Sequence, residues 1–164
     1  VLEDELAAGR VLDAVIAQND AQRGEMWARR EAAAEVSLAK KPLINNDIAV
    51  PLDKVETFLK RMEQALPSVD PGASDTCVAH LGDGNIHYIV YPTSNDPAHL
   101  DRVMEQVEDV VAELGGSFSA EHGIGLAKLA SMRRRKDAAA LRAMQAIKAA
   151  LDPNGIMNPG KTLP

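Results

Sequence analysis

Four histidines are available for chemistry in this chain, and two of them bracket the segment His80-Leu81-Gly82-Asp83-Gly84-Asn85-Ile86-His87. Asp83-Gly84 is a two-residue hairpin signal, because both central positions of a type I′ turn require positive φ. With that turn, Gly82 pairs with Asn85, Leu81 with Ile86 and His80 with His87. Both imidazoles then share one sheet face, with Cβ atoms about 4.5–5.5 Å apart. Neutral imidazole is a common ligand for zinc and other transition metals, so the pair forms a chelate. The same pair would also serve as a polar couple on a half-exposed sheet.

A second constellation is Glu121-His122-Gly123-Ile124-Gly125. Neighbouring residues point to different sides of a strand or helix. Glu121 can therefore supply a third metal ligand while His122 faces a substrate as an acid–base group. The two glycines allow close backbone approach to another element. The competing interpretation is a helix start whose acidic residue favours the dipole.

The rest of the chain must position these groups. Residues 1–8 suit a short helix ending at Gly9, and residues 11–17 suit a strand. Asn19 or Asp20 caps a helix that runs to Ala39, with Trp27, Ala34 and Leu38 near one stripe; Pro42 stops it. Residues 43–50 suit a strand. Pro51 then opens a helix over 52–66, where Val55, Phe58, Leu59, Met62 and Leu66 recur at helical spacing. The hairpin spans 75–91. Asp96-Pro97 starts a helix that Gly115-Gly116 ends. Residues 122–132 are expected to be helical, Asp137 caps a last helix to Leu151, and the tail to Pro164 is expected to be extended. This order predicts an α+β domain, a mainly antiparallel sheet with helices packed on one face.

With 164 residues, 46% of them hydrophobic, a single folded domain over residues 1–164 is expected. A net charge of −6 argues against nucleic acid or an anionic membrane as the main partner. The basic run Arg133-Arg134-Arg135-Lys136 suits a solvated helix end. A lone cysteine, Cys77, excludes an internal disulfide and suits a reducing, cytoplasmic setting; its place in an apolar strand pattern suggests a packed thiol. The chain lacks an apolar run of the length a membrane span needs.

Three segments together resemble the C-terminal domain of FAD-linked oxidases, the family of D-lactate dehydrogenase, the glycolate oxidase subunit and D-2-hydroxyglutarate dehydrogenase. They are His80 to His87, then Ser119-Ala120-Glu121-His122-Gly123-Ile124-Gly125, then Asp152-Pro153-Asn154-Gly155-Ile156-Met157-Asn158-Pro159-Gly160-Lys161, in the family's order. Trp27-Ala28-Arg29-Arg30-Glu31 is similar to that family's Trp-x-x-Arg-Glu segment. The resemblance implies the substrate (cap) domain of a flavoprotein, with the N-terminal FAD-binding domain of the same protein outside this chain. It implies that a 2-hydroxy acid, of D configuration, passes its Cα hydrogen to flavin N5 as hydride while its hydroxyl loses a proton. His80, His87 and Glu121 match the residues that hold a divalent metal, with zinc the candidate, and such an ion would acidify the hydroxyl. His122 matches the substrate-binding residue placed to take that proton. Arg30 matches one that grips the substrate carboxylate, a bidentate task suited to guanidinium. Asn158 and Lys161 are the candidates for secondary contact with FAD.

The sequence also departs from the D-2-hydroxyglutarate branch. Asn45 stands where that branch has a substrate-contacting lysine, Ala34 where it has a threonine, and Ile89 where it has an asparagine. These departures favour a smaller or more apolar hydroxy acid over a dicarboxylate. The alternative to a flavoenzyme is a small metal- or ligand-binding α+β module that works without flavin.

Overall fold

The computed structural model describes residues 1–80 and 82–164, and all their side chains except that of Ala34. The chain forms two compact units, Val1–Ala39 and Lys40–Pro164.

The first unit is helical. Helix α1 covers Leu2–Ala7 and helix α2 covers Asp20–Ala39. Asn19 caps α2 by accepting the Gln22 N–H at 2.9 Å, and Gln22 reaches back to the Gln18 N–H at 2.7 Å. Residues 11–17, expected as a strand, are irregular, with Leu12, Val15 and Ile16 exposed. A strand exists through its ladder, and none of the described ladders includes these residues. The place of Ala34 on the α2 stripe lies outside the described side chains.

The second unit is built on a three-stranded antiparallel sheet. Its strands are β1 (Ile44–Ala49), β2 (Ser74–His80) and β3 (Asn85–Tyr91), in the order β1-β3-β2. Period-two alternation gives the central strand two different faces. Ile86, Tyr88 and Val90 join Ile48 of β1 in a core against helices α3 (Val55–Val69) and α4 (Pro97–Glu113). Phe58, Met62 and Leu66 of α3 and Val103, Val107, Val110 and Val111 of α4 complete it. Phe58 meets Tyr88 edge-on with ring centroids 5.4 Å apart, a pair worth about 0.5–1.5 kcal/mol beyond its buried area. The expected α+β architecture, with helices on one sheet face, is what the chain adopts. The opposite face carries Asn45, Asp47, His87, Ile89 and His80, and the chemistry gathers there.

The hairpin register differs from expectation. His80 pairs with Asn85, and His87 with Val78. Ile86 pairs with Ala79; the expected pairing through Leu81 falls outside the described residues. Gly84 has φ +77, but Asp83 is not among the described positive-φ residues, so a type I′ turn does not form. Instead the His80 carbonyl accepts the N–H groups of Asp83 and Gly84, and Asp83 Oδ1 accepts the Asn85 N–H. Gly84 is needed for a second reason. Its carbonyl accepts the Val50 N–H at 3.1 Å, and a Cβ there would stand 2.1 Å from the Val50 carbonyl oxygen. The shift is by two residues, an even number, so both histidines remain on the same face.

After α4 come α5 (Leu129–Arg135) and α6 (Ala138–Leu151). Residues 122–128, expected as helix, are irregular, because Gly123 (φ +72) and Gly125 (φ +54) are left-handed. The basic run is not simply solvated. Arg134 pairs with Asp101, Glu105 and Glu108 of α4, and Arg135 with Glu108 and Asp109. The tail is tied to α6 rather than extended freely: Asp152 accepts the Ile156 and Met157 N–H groups at 2.9 Å and pairs with Lys148. Cys77 is exposed on the edge strand rather than packed; partial burial and the Asp75 charge push its thiol pKa up. No helix among the described residues is long and apolar enough to cross a membrane.

A buried aspartate, Asp70, locks the α3–β2 connection to the end of β3. It accepts the Thr93 N–H (2.8 Å), the Thr93 hydroxyl (2.7 Å) and His99 Nε2 (2.8 Å). Arg102 donates to His99 Nδ1, so the ring carries its proton on Nε2. Burial alone would raise the Asp70 pKa, but the Thr93 N–H, His99 and the Thr93 hydroxyl outweigh it and hold it at about 2. A depressed carboxylate stabilises the fold above its unfolded pKa and loses that contribution as pH falls through the folded one. Asp70→Asn is therefore expected to destabilise the fold by roughly 1–3 kcal/mol at neutral pH. Thermal melts of both proteins should converge between about pH 4 and pH 2.

Candidate metal centre

Strand β1 has a free edge, and the segment after α4 runs along it. Ala49 and Ser117 exchange backbone hydrogen bonds at 2.9 and 2.8 Å, and the Ala120 N–H reaches the Asp47 carbonyl at 3.2 Å. Gly116 permits this approach: a Cβ there would lie 2.3 Å from the Ala49 carbonyl oxygen. The segment thereby delivers Glu121 and His122 to the sheet face that carries His87.

Four side chains converge there. Glu121 Oε1 lies 2.9 Å from His87 Nε2, 3.8 Å from His122 Nε2 and 3.9 Å from His80 Nε2. The rings of His80 and His87 meet edge-on at 5.4 Å, and those of His87 and His122 stack at 5.1 Å. The expected set His80, His87 and Glu121 is brought together, with His122 against it. His87 is largely buried (15% exposed), whereas Glu121 and His122 are about half exposed (52% and 47%), so the cluster opens to solvent on one side.

Beneath the cluster lies Asp47, fully buried and paired across the ladder with His87. Its carboxylate accepts the backbone N–H groups of Ala120 (3.2 Å), Glu121 (3.2 Å) and His122 (2.9 Å). Lys128 Nζ (3.1 Å) and Asn85 Nδ2 (3.1 Å) complete the shell. Burial pushes the Asp47 carboxyl up, but the His122 N–H, Lys128, the Glu121 N–H and Asn85 together hold it well below the usual carboxylate range. Lys128, only 14% exposed, also donates to Ser119 Oγ and to the Asp47 carbonyl. Removing either member of so enclosed a pair costs about 3–5 kcal/mol, because the other charge is left without its partner.

Over residues 1–162 the chain matches the family described as FAD linked oxidases, C-terminal domain. The chain belongs to that family. Among its relatives, a D-2-hydroxyglutarate dehydrogenase of Stutzerimonas stutzeri is 37% identical over 158 residues, covering 93% of this chain and 34% of that protein. The mitochondrial D-2-hydroxyglutarate dehydrogenase of Danio rerio is 32% identical over 163 residues, 99% of this chain and 30% of that protein. The glycolate oxidase subunit GlcD of Escherichia coli K12 is 30% identical over 167 residues, 99% of this chain and 33% of that protein. The chain thus spans about a third of the length of the curated relatives it matches.

In this FAD-linked oxidase domain the remaining expected site residues are Arg30, Asn158 and Lys161. Arg30 belongs to the first unit, on α2, with its guanidinium 5.9 Å from the Trp27 ring centroid. Asn158 and Lys161 lie in the tail after α6, where the Lys161 N–H donates to the Asn158 carbonyl at 3.2 Å. Asp47 and Lys128 were not among the residues singled out from sequence. One signal for Asp47 was available: a carboxylate inside a strand, followed by the apolar Ile48-Ala49-Val50, must be paired once buried.

The donor set fits a divalent transition cation. Imidazole nitrogens and one carboxylate oxygen suit zinc and its neighbours, and an open side is the mark of a catalytic rather than structural site. Asp47, His87, Glu121 and His122 each offer a ligand atom within 4.8 Å of the others. Asp47 is nevertheless a poor ligand, because its oxygens are already occupied by N–H donors and Lys128.

Proposed function

We propose that this domain binds a divalent metal and a 2-hydroxy acid, and serves an FAD-dependent oxidation of that acid to the 2-oxo acid. The single observation that carries this reading is one carboxylate oxygen of Glu121 facing three imidazole nitrogens within 3.9 Å on an open surface. His80, His87 and Glu121 would hold the ion, which lowers the pKa of a bound hydroxyl. His122, stacked on His87, is then placed to accept the hydroxyl proton at a ring nitrogen. Arg30 would bind the substrate carboxylate as a bidentate donor. A flavin bound there would supply the hydride acceptor. It would be held mainly by the FAD-binding domain of the same protein, with Asn158 and Lys161 in a secondary role. Membership of a FAD-linked oxidase family weighs against the flavin-independent module.

The substrate side chain is proposed to be short or apolar. Asn45 and Ile89 are directly paired across β1 and β3, one rung along the site face from Asp47 and His87. An amide and a hydrocarbon there offer no cation for a second carboxylate. The test is anaerobic flavin bleaching in the protein that contains this chain, with D and L forms of lactate, 2-hydroxybutyrate and 2-hydroxyglutarate. Bleaching by a D acid that chelator treatment abolishes is the expected result. Preference for D-2-hydroxyglutarate would overturn the side-chain reading, and no bleaching by any member would overturn the function. The 164 residues alone are expected to reduce no dye acceptor with these acids.

A further inference from the structure

We infer that Asp47, backed by Lys128, is the positioning residue of this site: the pair clamps the segment carrying Glu121 and His122 against the sheet. The inference deepens the proposed function and rests on its metal reading. Glu121 and His122 sit in neither helix nor strand, between the Ala49–Ser117 bridge and α5, with left-handed glycines at 123 and 125. A stretch of that kind has no ladder of its own to fix where its side chains stand. What fixes it is the Asp47 carboxylate, which takes three successive N–H groups, those of Ala120, Glu121 and His122. Lys128 closes the other end by bonding both Asp47 and Ser119 Oγ, and Ser119 Oγ in turn donates to the Gly123 carbonyl at 2.9 Å. Asp47 is also the direct cross-strand neighbour of His87. One buried carboxylate therefore registers the loop donors, Glu121 and His122, against the sheet donors, His87 and His80. Outer partners of this kind typically change metal affinity by about 10–100-fold when lost.

Co2+ titration of the chain, followed by its visible d–d absorption, reads this directly. Asp47→Asn keeps the shape but replaces an acceptor oxygen with an N–H donor facing the His122 N–H and Lys128. It is expected to weaken Co2+ binding about 10–100-fold and to alter the spectrum. Lys128→Gln should act in the same direction. Asp70→Asn is the control, since it removes a buried carboxylate remote from the cluster and should lower the melting temperature without changing Co2+ affinity. Unchanged affinity in both Asp47→Asn and Lys128→Gln, or an equal loss in Asp70→Asn, overturns the inference. Amide exchange of Glu121 and His122 separates this from the metal reading. Slow exchange in the parent and fast exchange in the variants supports the clamp even if the parent binds no Co2+, in which case the metal reading alone fails. Fast exchange in the parent overturns the clamp outright, whether or not the variants fold.

Discussion

His87→Ala is expected to lower metal affinity by more than about 100-fold, beyond the 10–100-fold that loss of an outer partner costs. His87 is the central member of the cluster. It lies 2.9 Å from Glu121, edge-on to His80 and stacked on His122. It is also the least exposed of the donors, on the middle strand, where the backbone is fixed by ladders on both sides. Its truncation removes one nitrogen and the ring that orients two others. The fold should tolerate the change, because the core lies on the other sheet face. Competition with a chromophoric chelator measures the affinity, and circular dichroism checks the fold. His99→Ala is the matched control, a histidine bonded to Asp70 away from the cluster. If His87→Ala binds as the parent does, the metal belongs elsewhere.

His122→Ala should separate proton transfer from metal binding. In the flavin-loaded protein that contains this chain, turnover is expected to fall on the order of 10²–10⁴-fold, the range for loss of a general base. Metal content should stay close to that of the parent, since His80, His87 and Glu121 remain. The geometry behind this expectation is the position of His122 at the rim of the cluster, with its backbone N–H on Asp47 and its ring stacked on His87 yet about half exposed to solvent. Added imidazole should recover part of the lost rate, because the cavity left by the ring admits a small base. Parental turnover in His122→Ala would remove the residue from the reaction, and loss of the metal along with the rate would make it a ligand instead.

Much of the scaffold is legible in the residues because its signals are local. Asp96-Pro97 and Asp137 cap α4 and α6 through contacts two or three residues away. Phe58, Met62 and Leu66 face the core at helical spacing. The candidate donors His80, His87, Glu121 and His122 stand out in the same way, since histidine, glutamate and their surrounding glycines form compact motifs. Residues 11–17 were not readable, because an apolar run suits a strand only if a partner strand accepts it. Residues 122–128 do not announce their irregular path, because the left-handed conformation of two glycines is decided by what the segment packs on.

By itself the sequence determined that a hairpin turns near Gly84, that His80 and His87 share a face, and that Glu121 and His122 travel together. Those properties depend on side-chain parity and on neighbours along the chain, which survive an even register shift. Only the tertiary structure decided the register itself, because the Gly84 carbonyl is engaged by Val50 and the loop widens to suit. It alone decided that a glutamate and a histidine more than thirty residues beyond His87 meet it across the edge of β1. The reason is Asp47: its donors come from residues 38 to 81 positions away, and a carboxylate shows nothing in sequence of the N–H groups that will surround it once buried.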